Sequence, residues 1–523
     1  MSGAIGAVLM LLPLRSAPAQ CPPGATDSTI ASSVRALWFG SERGFIGSLS
    51  RLTWNGPTAS WHVVEEGDSA WNAGASAYYV EPHLRMALAL AEATSDTSVL
   101  SDLSGYFIAF AGNLRPMQDV VARQANSIGP ASAFVPGRPA DRLLPWLDTR
   151  AHPARPTECQ VCSTQFFHPA ARLVRLIAAT PAPQRSPIML QFIQLYVPLL
   201  LNDHLLRLGF DHDGSKSTGL VPGWERAIDN PRFQIRDADL WLIATAAELL
   251  GAHHLAPDLV PLADGQPLLE RMVGSGWRLL VRRASAHPAT RNSGGQTVGS
   301  LDFFEGDFDG IDDNKFVGYS DSMMPEGQAA RPSVKGGWDI SHVQRLPVFL
   351  RSLWDNRAAL GSPGPDIGFL GQTVNQYLYV AFNGRPELPQ FHNFFDGTDG
   401  WYRVDYSGRR GWGYPPSGYC DNRDRNRPCL SRWGPVGWGL LAFVNPDLTG
   451  VGHDLLKLAA DSAVSGSAFR QRVYALGADD FRWNYPPGKT SSPLLAEILA
   501  EFLSGVRVEG GPGHFCPAAG AGR

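Results

Sequence analysis

Apolar residues return every three or four positions through most of this chain, while strand-like alternation is scarce, and this pattern constrains the fold most. Stretches such as "DADLWLIATAAELL" (237–250) and "SPLLAEILAEFL" (492–503) show the spacing clearly. It is typical of amphipathic helices packed on a core. The predicted helices cover 76–94, 99–112, 168–180, 187–208, 235–252, 266–284, 339–358, 366–382, 435–444, 452–463, 466–476 and 491–504.

Some connections between these helices are short, and others are long segments rich in glycine, proline and aromatic residues. The long ones span 113–165, 209–234, 285–337 and 384–434. About a dozen helices joined in this way predict a mainly α fold, an (α/α)6 toroid of six helical hairpins whose long loops gather on one face. An α-solenoid or two separate bundles are the alternatives. The sequence shows no clear self-similarity at a period of about 34 or 40 residues, which weighs against a solenoid. Residues 21–523 are predicted to form one domain, with a few short strands or a cap within 21–70.

Composition and the N-terminus indicate an exported protein. The chain has 523 residues, 44% of them apolar, and a net charge of −4 without a basic patch, so a nucleic-acid partner is not expected. An apolar run over 4–14 precedes a small-x-small site at 17–19, which predicts a signal peptide over 1–20 and a secreted or periplasmic location. No later run is long enough for a membrane span. Oligomeric state is not visible in the sequence.

Six cysteines fit an oxidising compartment. Cys420 and Cys429 bracket a short polar loop and are predicted to form a local disulfide. Cys159 and Cys162 are expected either to pair with each other or to join a zinc site with His152 and His168. Pairing of Cys21 with Cys516 would bring the two ends of the chain together.

Four loop segments concentrate acids and aromatic residues in a pattern typical of a sugar-binding cleft. They are "WHVVEEGDSAWNAG" (61–74), "GLVPGWERAIDNPRF" (219–233), "GGWDISHVQRLPVFLRSLW" (336–354) and "FHNFFDGTDGWYRVDYSGRRGWGYPP" (391–416). An indole ring offers apolar area to the C–H face of a pyranose, while polar neighbours bind its hydroxyl groups. The predicted substrate-binding residues are Trp71, Trp224, Trp338, His342, His392, Trp401, Tyr402, Arg403 and Tyr406. Ordinary loop anchoring remains the alternative for any one tryptophan, and helix capping remains the alternative for Asp339.

Two short motifs carry a resemblance to a known family. "ERAIDNPRF" (225–233) and "GGWDISHVQR" (336–345) each resemble the acid-bearing motif of six-hairpin glycosidases related to trehalases and processing α-glucosidases. The resemblance covers nine or ten residues in each place. It implies that Asp229 or Asp339 is the proton donor, with Asp229 preferred because Asn230-Pro231-Arg232 also fits.

Glycoside cleavage needs one carboxylic acid to protonate the leaving oxygen and a second carboxylate across the sugar. The two groups lie about 6.5–9.5 Å apart in inverting enzymes and about 5–5.5 Å apart in retaining ones. Burial beside aromatic residues helps an acid to keep its proton near neutrality. Glu225 and Asp229 follow Trp224 and are candidates for such a perturbed acid, while Glu66 is the candidate for the opposing base.

The segment "DFFEGDFDGIDDNK" (302–315) suggests a structural calcium loop. Asp307, Asp309, Asp312 and Asp313 surround Gly310, although the spacing departs from the EF-hand pattern. A solvated acidic turn is the alternative, and no other cofactor is expected. His83 is predicted to be a core histidine, and Asp239 is predicted either to line the inner wall of the ring or to be structural.

The leading hypothesis is therefore an exported glycoside hydrolase that acts on an oligo- or polysaccharide through paired carboxylates. A polysaccharide lyase on a similar helical ring is the first alternative, with His392, Asn393, Tyr402, Arg403 and Tyr406 as its base and uronate-binding groups. A non-catalytic glycan-binding protein is the second.

Overall fold

A computed structural model describes the central part of the chain. The described residues are 72–111, 160–210, 219–230, 235–306, 336–361, 364–382, 391–397 and 436–451 with a few gaps, short strand segments between them, and Glu501. The predicted signal peptide, the helices at 452–463 and 466–476, and all but one residue of the helix at 491–504 lie outside them. Among the described residues no helix is both long and apolar enough to cross a bilayer.

The described part is mostly helical, which confirms the mainly α prediction. The helices are α1 Asn72–Thr94, α2 Thr97–Ala111, α3 Gln160–Ala179, α4 Pro187–Pro198, α5 Leu220–Asp229, α6 Asp237–Leu255, α7 Gln266–Arg283, α8 Ile340–Val343, α9 Arg345–Asp355 and α10 Ile367–Gln376. Two of them continue as π-helical turns, α4 through Leu199–Leu206 and α10 through Tyr377–Ala381. The predicted helix at 435–444 is only a 3-10 turn, Trp438–Leu441.

The helices form an inner row with others packed behind it. Helices α1, α3, α6 and α9 lie side by side in that order, while α2 packs on α1 and α4, and α7 packs on α6 and α5. From α1 to α4, helices of the row and helices packed behind it alternate along the chain, as expected for successive helical hairpins, whereas α5 follows α4 without a row helix between them. Closure of this row into an (α/α)6 ring, and a single domain over 21–523, stay predictions.

Buried ion pairs join the inner row across its core. Arg175 of α3 lies 2.5 Å from Glu248 of α6 and 3.1 Å from Glu92 of α1. Asp355 of α9 lies 3.4 Å from the same guanidinium and binds Arg351 one turn away. Because a buried charge is costly unless it is paired, this network ties four helices to one register.

Two long connectors contain regular structure that the sequence did not predict. Helix α5 occupies most of the predicted loop 219–233, because Val221, Trp224 and Ala227 recur at three-residue steps and are buried. A hairpin of β7 Ala284–Arg291 and β8 Thr297–Gly306 opens the connector 285–337 and turns at Gly295, whose φ of 77° favours glycine.

The remaining strands are short. Those before the hairpin are β1 Leu52–Asn55, β2 Ser60–Val63, β3 Arg115–Pro116, β4 Leu143–Leu144, β5 Leu147–Asp148 and β6 Thr157–Glu158. Those after it are β9 Lys315–Gly318, β10 Arg331–Pro332, β11 Gly336–Gly337 and β12 Trp401–Tyr402. The antiparallel pair β1–β2 confirms the expectation of a few strands within 21–70.

Candidate functional site

Three segments that are distant in sequence meet side by side near the end of the inner row. Strand β11 pairs with β8 through Gly337 and Phe304, and Asp339 forms an antiparallel bridge with Phe394. The N–H of Phe395 donates to the carbonyl oxygen of Trp338 at 2.9 Å. We call residues 302–304, 337–339 and 394–396 the loop layer.

One side of the loop layer belongs to the hydrophobic core. Phe303, Trp338 and Phe395 are buried, one from each segment, and the rings of Phe303 and Phe395 stack with centroids 6.4 Å apart. Neighbouring residues of an extended chain point to opposite faces. Asp302 fits this rule, since it is half-buried next to buried Phe303 in β8. Asp339 is buried like Trp338, and Asp396 lies half-buried in a turn after Phe395, so each segment contributes one carboxyl group in a different setting.

Asp302 is the member of this group whose protonation is most perturbed. Its side chain is half-buried, and among the described residues its Oδ1 atom has no hydrogen-bond partner. Burial and the nearby Asp396 carboxylate raise the pKa of Asp302 to about 7, against the opposing effect of a hydrogen bond from the backbone of Phe303. A carboxyl group that keeps its proton near neutrality beside a second carboxyl group is what acid catalysis of glycoside cleavage requires.

A tight turn holds Asp396 in place. The N–H of Gly397 donates to the carbonyl oxygen of Phe394 at 3.0 Å, and Gly397 has a φ of 83°, which favours glycine. A Cβ atom at this position would also lie 2.7 Å from Cγ1 of Val380. The side-chain amide of Gln376 donates to the carbonyl oxygen of Phe395 at 2.8 Å, which fixes the turn to α10.

Asp339 and His342 form a pair at the start of α8. One carboxylate oxygen of Asp339 accepts the backbone N–H of His342 at 3.2 Å, and the other lies 2.5 Å from its Nδ1 atom. The Asp339 side chain is 4% exposed and that of His342 is 23% exposed. The alternative reading of Asp339 as a helix cap is thus confirmed, but the cap also holds an imidazole at the edge of the loop layer.

Two segments at the ends of α5 and α6 border the loop layer. Arg283 donates to the carbonyl oxygens of Ala227 and Asn230, at 2.9 and 3.2 Å, and its guanidinium lies 5.3 Å from the ring centre of Phe304. It therefore brings the end of α5 next to β8. On the other side, Asp237 of α6 lies 3.8 Å from Arg345 of α9.

Glu225 lacks the features expected of a proton donor. Arg271 binds both oxygens of its carboxylate at 2.9 and 2.7 Å, and Ser275 donates to it at 3.0 Å. The Arg271 hydrogen bond is the main cause that lowers the pKa of Glu225, the opposite of what a neutral acid needs. Asp229, the preferred donor by resemblance, is exposed at the end of α5.

Two of the predicted tryptophan platforms are core residues. Trp224 is 3% exposed and Trp338 is 1% exposed, so neither presents an indole face to a sugar. Trp224 belongs to the buried stripe of α5, and Trp338 to the core side of the loop layer. Asp239 is also structural, because it accepts the backbone N–H of Arg236 at 2.7 Å and closes the start of α6.

The position of the other predicted residues is described only in part. His392 is partly exposed, and its N–H donates to the carbonyl oxygen of Ala381 at 2.8 Å. Trp401 and Tyr402 form β12, which pairs with β9. For His83 only the backbone, in α1, is described. Outside the described residues lie Glu66, Trp71, Asn393, Arg403, Tyr406, Asp307, Asp309, Asp312, Asp313, His152, Cys21, Cys159, Cys420, Cys429 and Cys516.

The predicted metal sites stay untested for the most part. Among the described residues no group of three or more His, Cys, Asp or Glu side chains is arranged to hold a metal ion. His168, one of the proposed zinc ligands, is buried in α3 with its Nε2 atom 3.0 Å from the Ser352 hydroxyl. Cys162, another proposed ligand, lies six residues before His168 in the same helix, and its side chain is not among those described.

Sequence reasoning did not single out Asp302, Asp396 or Asp237. Asp302 opens the segment interpreted as a calcium loop, and the two phenylalanines that follow it were the signal that could have indicated a strand. Asp396 lies within one of the four candidate segments, but only the pairing of distant strands brings it near Asp302.

Comparison with protein families, curated proteins and solved structures finds no match for the chain.

Proposed function

We propose that this protein is a glycoside hydrolase whose acid is Asp302 and whose second carboxylate is Asp396. The observation that carries the proposal is the pair itself: a half-buried carboxyl group with a pKa of about 7 beside a second carboxyl group. The two groups come from separate connectors, and both residues are half-buried. This assignment replaces Asp229, Glu225 and Glu66 as the catalytic residues of the hypothesis.

The proposed reaction uses the two groups in their expected protonation states. Asp302 donates its proton to the glycosidic oxygen as the bond to the anomeric carbon breaks. Asp396, as the carboxylate, either accepts a proton from an attacking water or attacks the anomeric carbon itself. The negative charge of Asp396 helps Asp302 to keep its proton until the sugar is bound, because two nearby carboxyl groups resist ionising together.

A polysaccharide lyase is less well supported than a hydrolase. Elimination needs a base and a group that neutralises the uronate, and the predicted set for that role is mostly outside the described residues. His392 and the backbone of Tyr402 are the described members. The loop layer itself contributes carboxyl groups, which suit protonation of a leaving oxygen better than neutralisation of an anionic sugar.

The test is a glycan panel assayed with native protein, Asp302→Asn and Asp396→Asn. Native protein is expected to release reducing ends from at least one glycan, and each substitution is expected to lower that rate by about 10²- to 10⁴-fold. Asn matches the size and the neutral state of protonated Asp302, so folding should be retained. Glu225→Gln is the matched control, because the Glu225 carboxylate is held by Arg271 and Ser275 and has a lowered pKa, so its loss should leave the rate within about twofold.

A new ultraviolet chromophore, from a C=C bond conjugated to the uronate carboxylate, would instead identify a lyase, because only elimination forms that bond. Full turnover by both Asn variants would reject the assigned pair. Glycan binding without turnover of any member of the panel would favour the non-catalytic reading.

A further inference from the structure

Helix α10 contacts both of the connectors that carry the proposed pair. On the side of β8, the side-chain amide of Asn375 donates to the carbonyl oxygen of Gly299 at 2.8 Å. Earlier in α10, the ring of Phe369 lies with its centroid 5.8 Å from that of Phe303. Gly299 precedes Asp302 along β8 and Phe303 follows it, so α10 holds this strand at two points around the acid.

The end of α10 also holds the turn that carries Asp396. The side-chain amide of Gln376, which is fully buried, donates to the carbonyl oxygen of Phe395 at 2.8 Å. In the π-helical turn that follows, Val380 approaches Gly397 so closely that a Cβ atom on this glycine would lie 2.7 Å from Cγ1 of Val380. Phe395 and Gly397 are the immediate neighbours of Asp396, so the backbone is held on both sides of this residue.

Asn375 and Gln376 are adjacent, and they lie where α10 passes into its π-helical turn. Consecutive side chains of a helix point about 100° apart, so a single step of the chain reaches two connectors in different directions. A π-helical turn is rare in proteins and occurs often at functional sites. The change of helix type therefore coincides with the point where both connectors are held.

The chemistry of Gln376 favours a specific contact over simple packing. The Phe395 carbonyl oxygen can only accept a hydrogen bond, so the amide must direct its NH2 group toward it. The Oε1 atom of Gln376 is then buried without a hydrogen-bond partner among the described residues. Such an atom costs stability, whereas an apolar side chain of similar size would avoid that cost. What an apolar side chain could not provide is the bond to the backbone next to Asp396.

Asn375 is oriented by a second amide. Its Oδ1 atom accepts the side-chain N–H of Asn445 at 3.1 Å, while its own NH2 group donates to Gly299. Asn445 also lies 3.3 Å from the Tyr379 hydroxyl, in the π-helical turn. The amide of Asn375 is thus fixed at both of its polar atoms, and its contact with β8 has a defined direction.

We propose that Asn375 and Gln376 are positioning residues that set the separation of the Asp302 and Asp396 carboxyl groups. Both amides act on the backbone beside the two acids, so neither needs to touch a ligand. The inference rests on the proposed function for what the pair does, whereas the separation is a property of the protein alone. In glycosidases that separation, about 5–5.5 Å or about 6.5–9.5 Å, distinguishes retaining from inverting sites.

The separation is tested without a ligand, through the effect of one carboxyl group on the other. The full-length protein is labelled with ¹³C-aspartate, and Asp302→Asn identifies the carboxyl signal of Asp302 in NMR titrations. In the native background, Asp396→Asn should lower the pKa of Asp302, because it removes a neighbouring negative charge. In the Gln376→Met background this coupling should be at least about a third smaller, since the interaction of two charges weakens with distance.

Three further comparisons separate position from stability. Methionine has nearly the length of glutamine and no unpaired polar atom, so Gln376→Met should fold. Asn375→Leu should weaken the coupling less, because Phe369 still holds β8. Thr373→Val is the matched control, since it removes a hydrogen bond within α10, from the Thr373 hydroxyl to the Phe369 carbonyl at 3.0 Å, and should leave the coupling unchanged.

Undiminished coupling in Gln376→Met, or an equal loss in Thr373→Val, would overturn the role of Gln376. Undiminished coupling in Asn375→Leu would overturn that of Asn375. If Asp396→Asn left the pKa of Asp302 unchanged in the native background, the two carboxyl groups would not form a pair and the whole inference would fall.

On a glycan that the panel shows to be hydrolysed, misplacement of the pair should appear in kcat. Gln376→Met is expected to lower kcat about tenfold or more with KM within about twofold, while Thr373→Val should leave both within about twofold. A loss confined to KM in Gln376→Met would contradict the positioning role. Failure of the whole panel would reject the proposed function, while the titration would still decide whether α10 sets the spacing of the two carboxyl groups.

Discussion

At the scale of single residues, environment separates carboxyl groups that look alike in the sequence. Glu225 lies opposite Arg271, whose hydrogen bond lowers its pKa, whereas burial and the Asp396 charge raise the pKa of the half-buried Asp302 to about 7. The sequence places Glu225 next to Trp224 and Asp302 next to two phenylalanines, so local context alone favours neither. Distant partners decide which of them is able to act as an acid.

The raised pKa of Asp302 predicts how hydrolysis depends on pH. A proton donor is active only while it is protonated, so kcat/KM of the native protein should fall as pH rises through about 7. Initial rates on a hydrolysed glycan between about pH 5 and 9 would measure this limb. A rate that stays constant to pH 9 would contradict the assignment of Asp302.

The proposed acid–base residues could not be derived from the sequence, and the reason is visible in particular residues. Trp338 and Asp339 are neighbours, yet one is a core residue and the other caps a helix and holds a histidine. The motif "GGWDISHVQR" therefore predicts an important segment but not the role of each side chain. Asp302 and Asp396 are 94 positions apart by numbering, and only strand pairing relates them.

At the scale of helices and strands, the spacing of apolar residues predicted the bounds of a helix well where that helix packs on the core with one apolar face. Helices α1, α2, α6 and α7 begin and end within about four residues of the predicted bounds, as do α4 and α10 together with their π-helical continuations, the usual precision of such reasoning. It failed for α5, where Gly223 and Pro222 suggested a turn. It also missed the β7–β8 hairpin, because β7 has no large apolar residue and its consecutive residues 285–287 are all exposed, so no period of two is visible.

The inner helices also carry a buried charge cluster outside the loop layer. The Nε atom of Arg85 on α1 lies 3.2 Å from a carboxylate oxygen of Glu81 and 3.2 Å from one of Glu501. The other oxygen of Glu501 accepts the N–H of Gly437 at 2.6 Å. The single Nε–H of Arg85 faces one carboxylate oxygen of Glu81 and one of Glu501. A proton on Glu501 therefore reduces the repulsion between the two carboxylates.

This cluster predicts a stability that declines as pH rises from about 4.3 to about 7 and then levels off. Burial raises the pKa of Glu501 to about 7, with Glu81 adding to the shift and Arg85 and the Gly437 N–H opposing it. Because the folded pKa exceeds that of an unfolded glutamate, this stability is complete below about pH 4.3 and is lost as pH rises through about 7. The free energy of unfolding should then fall by up to about 1.4 kcal/mol per pH unit.

Urea unfolding at several pH values between 5.5 and 9 measures this slope, with Glu501→Gln as the comparison. The variant keeps an oxygen for the Gly437 N–H but removes the titrating group, so its slope should be flatter. The prediction fails if native protein and variant lose stability in parallel over this range.

At the scale of the whole molecule, the row of inner helices provides a rigid base on which distant connectors assemble. Ion pairs between α1, α3, α6 and α9 fix the row, and α10 and the β7–β8 hairpin bring the loop layer to it. The sequence predicted that long connectors would meet. That prediction came from the composition of the connectors. It did not include the strand pairing that joins 302–304, 337–339 and 394–396.

The central claim is that Asp302 protonates a leaving group while Asp396 acts at the anomeric carbon, and leaving-group dependence tests it most directly. The measurement compares Asp302→Asn and Asp396→Asn on a natural glycoside and on an aryl glycoside of the same sugar, whose leaving group departs without a proton. We predict that Asp302→Asn loses about 10²- to 10⁴-fold in kcat/KM on the natural glycoside but far less on the aryl glycoside, whereas Asp396→Asn loses both. Equal losses of Asp302→Asn on the two substrates, or none on either, would contradict the account.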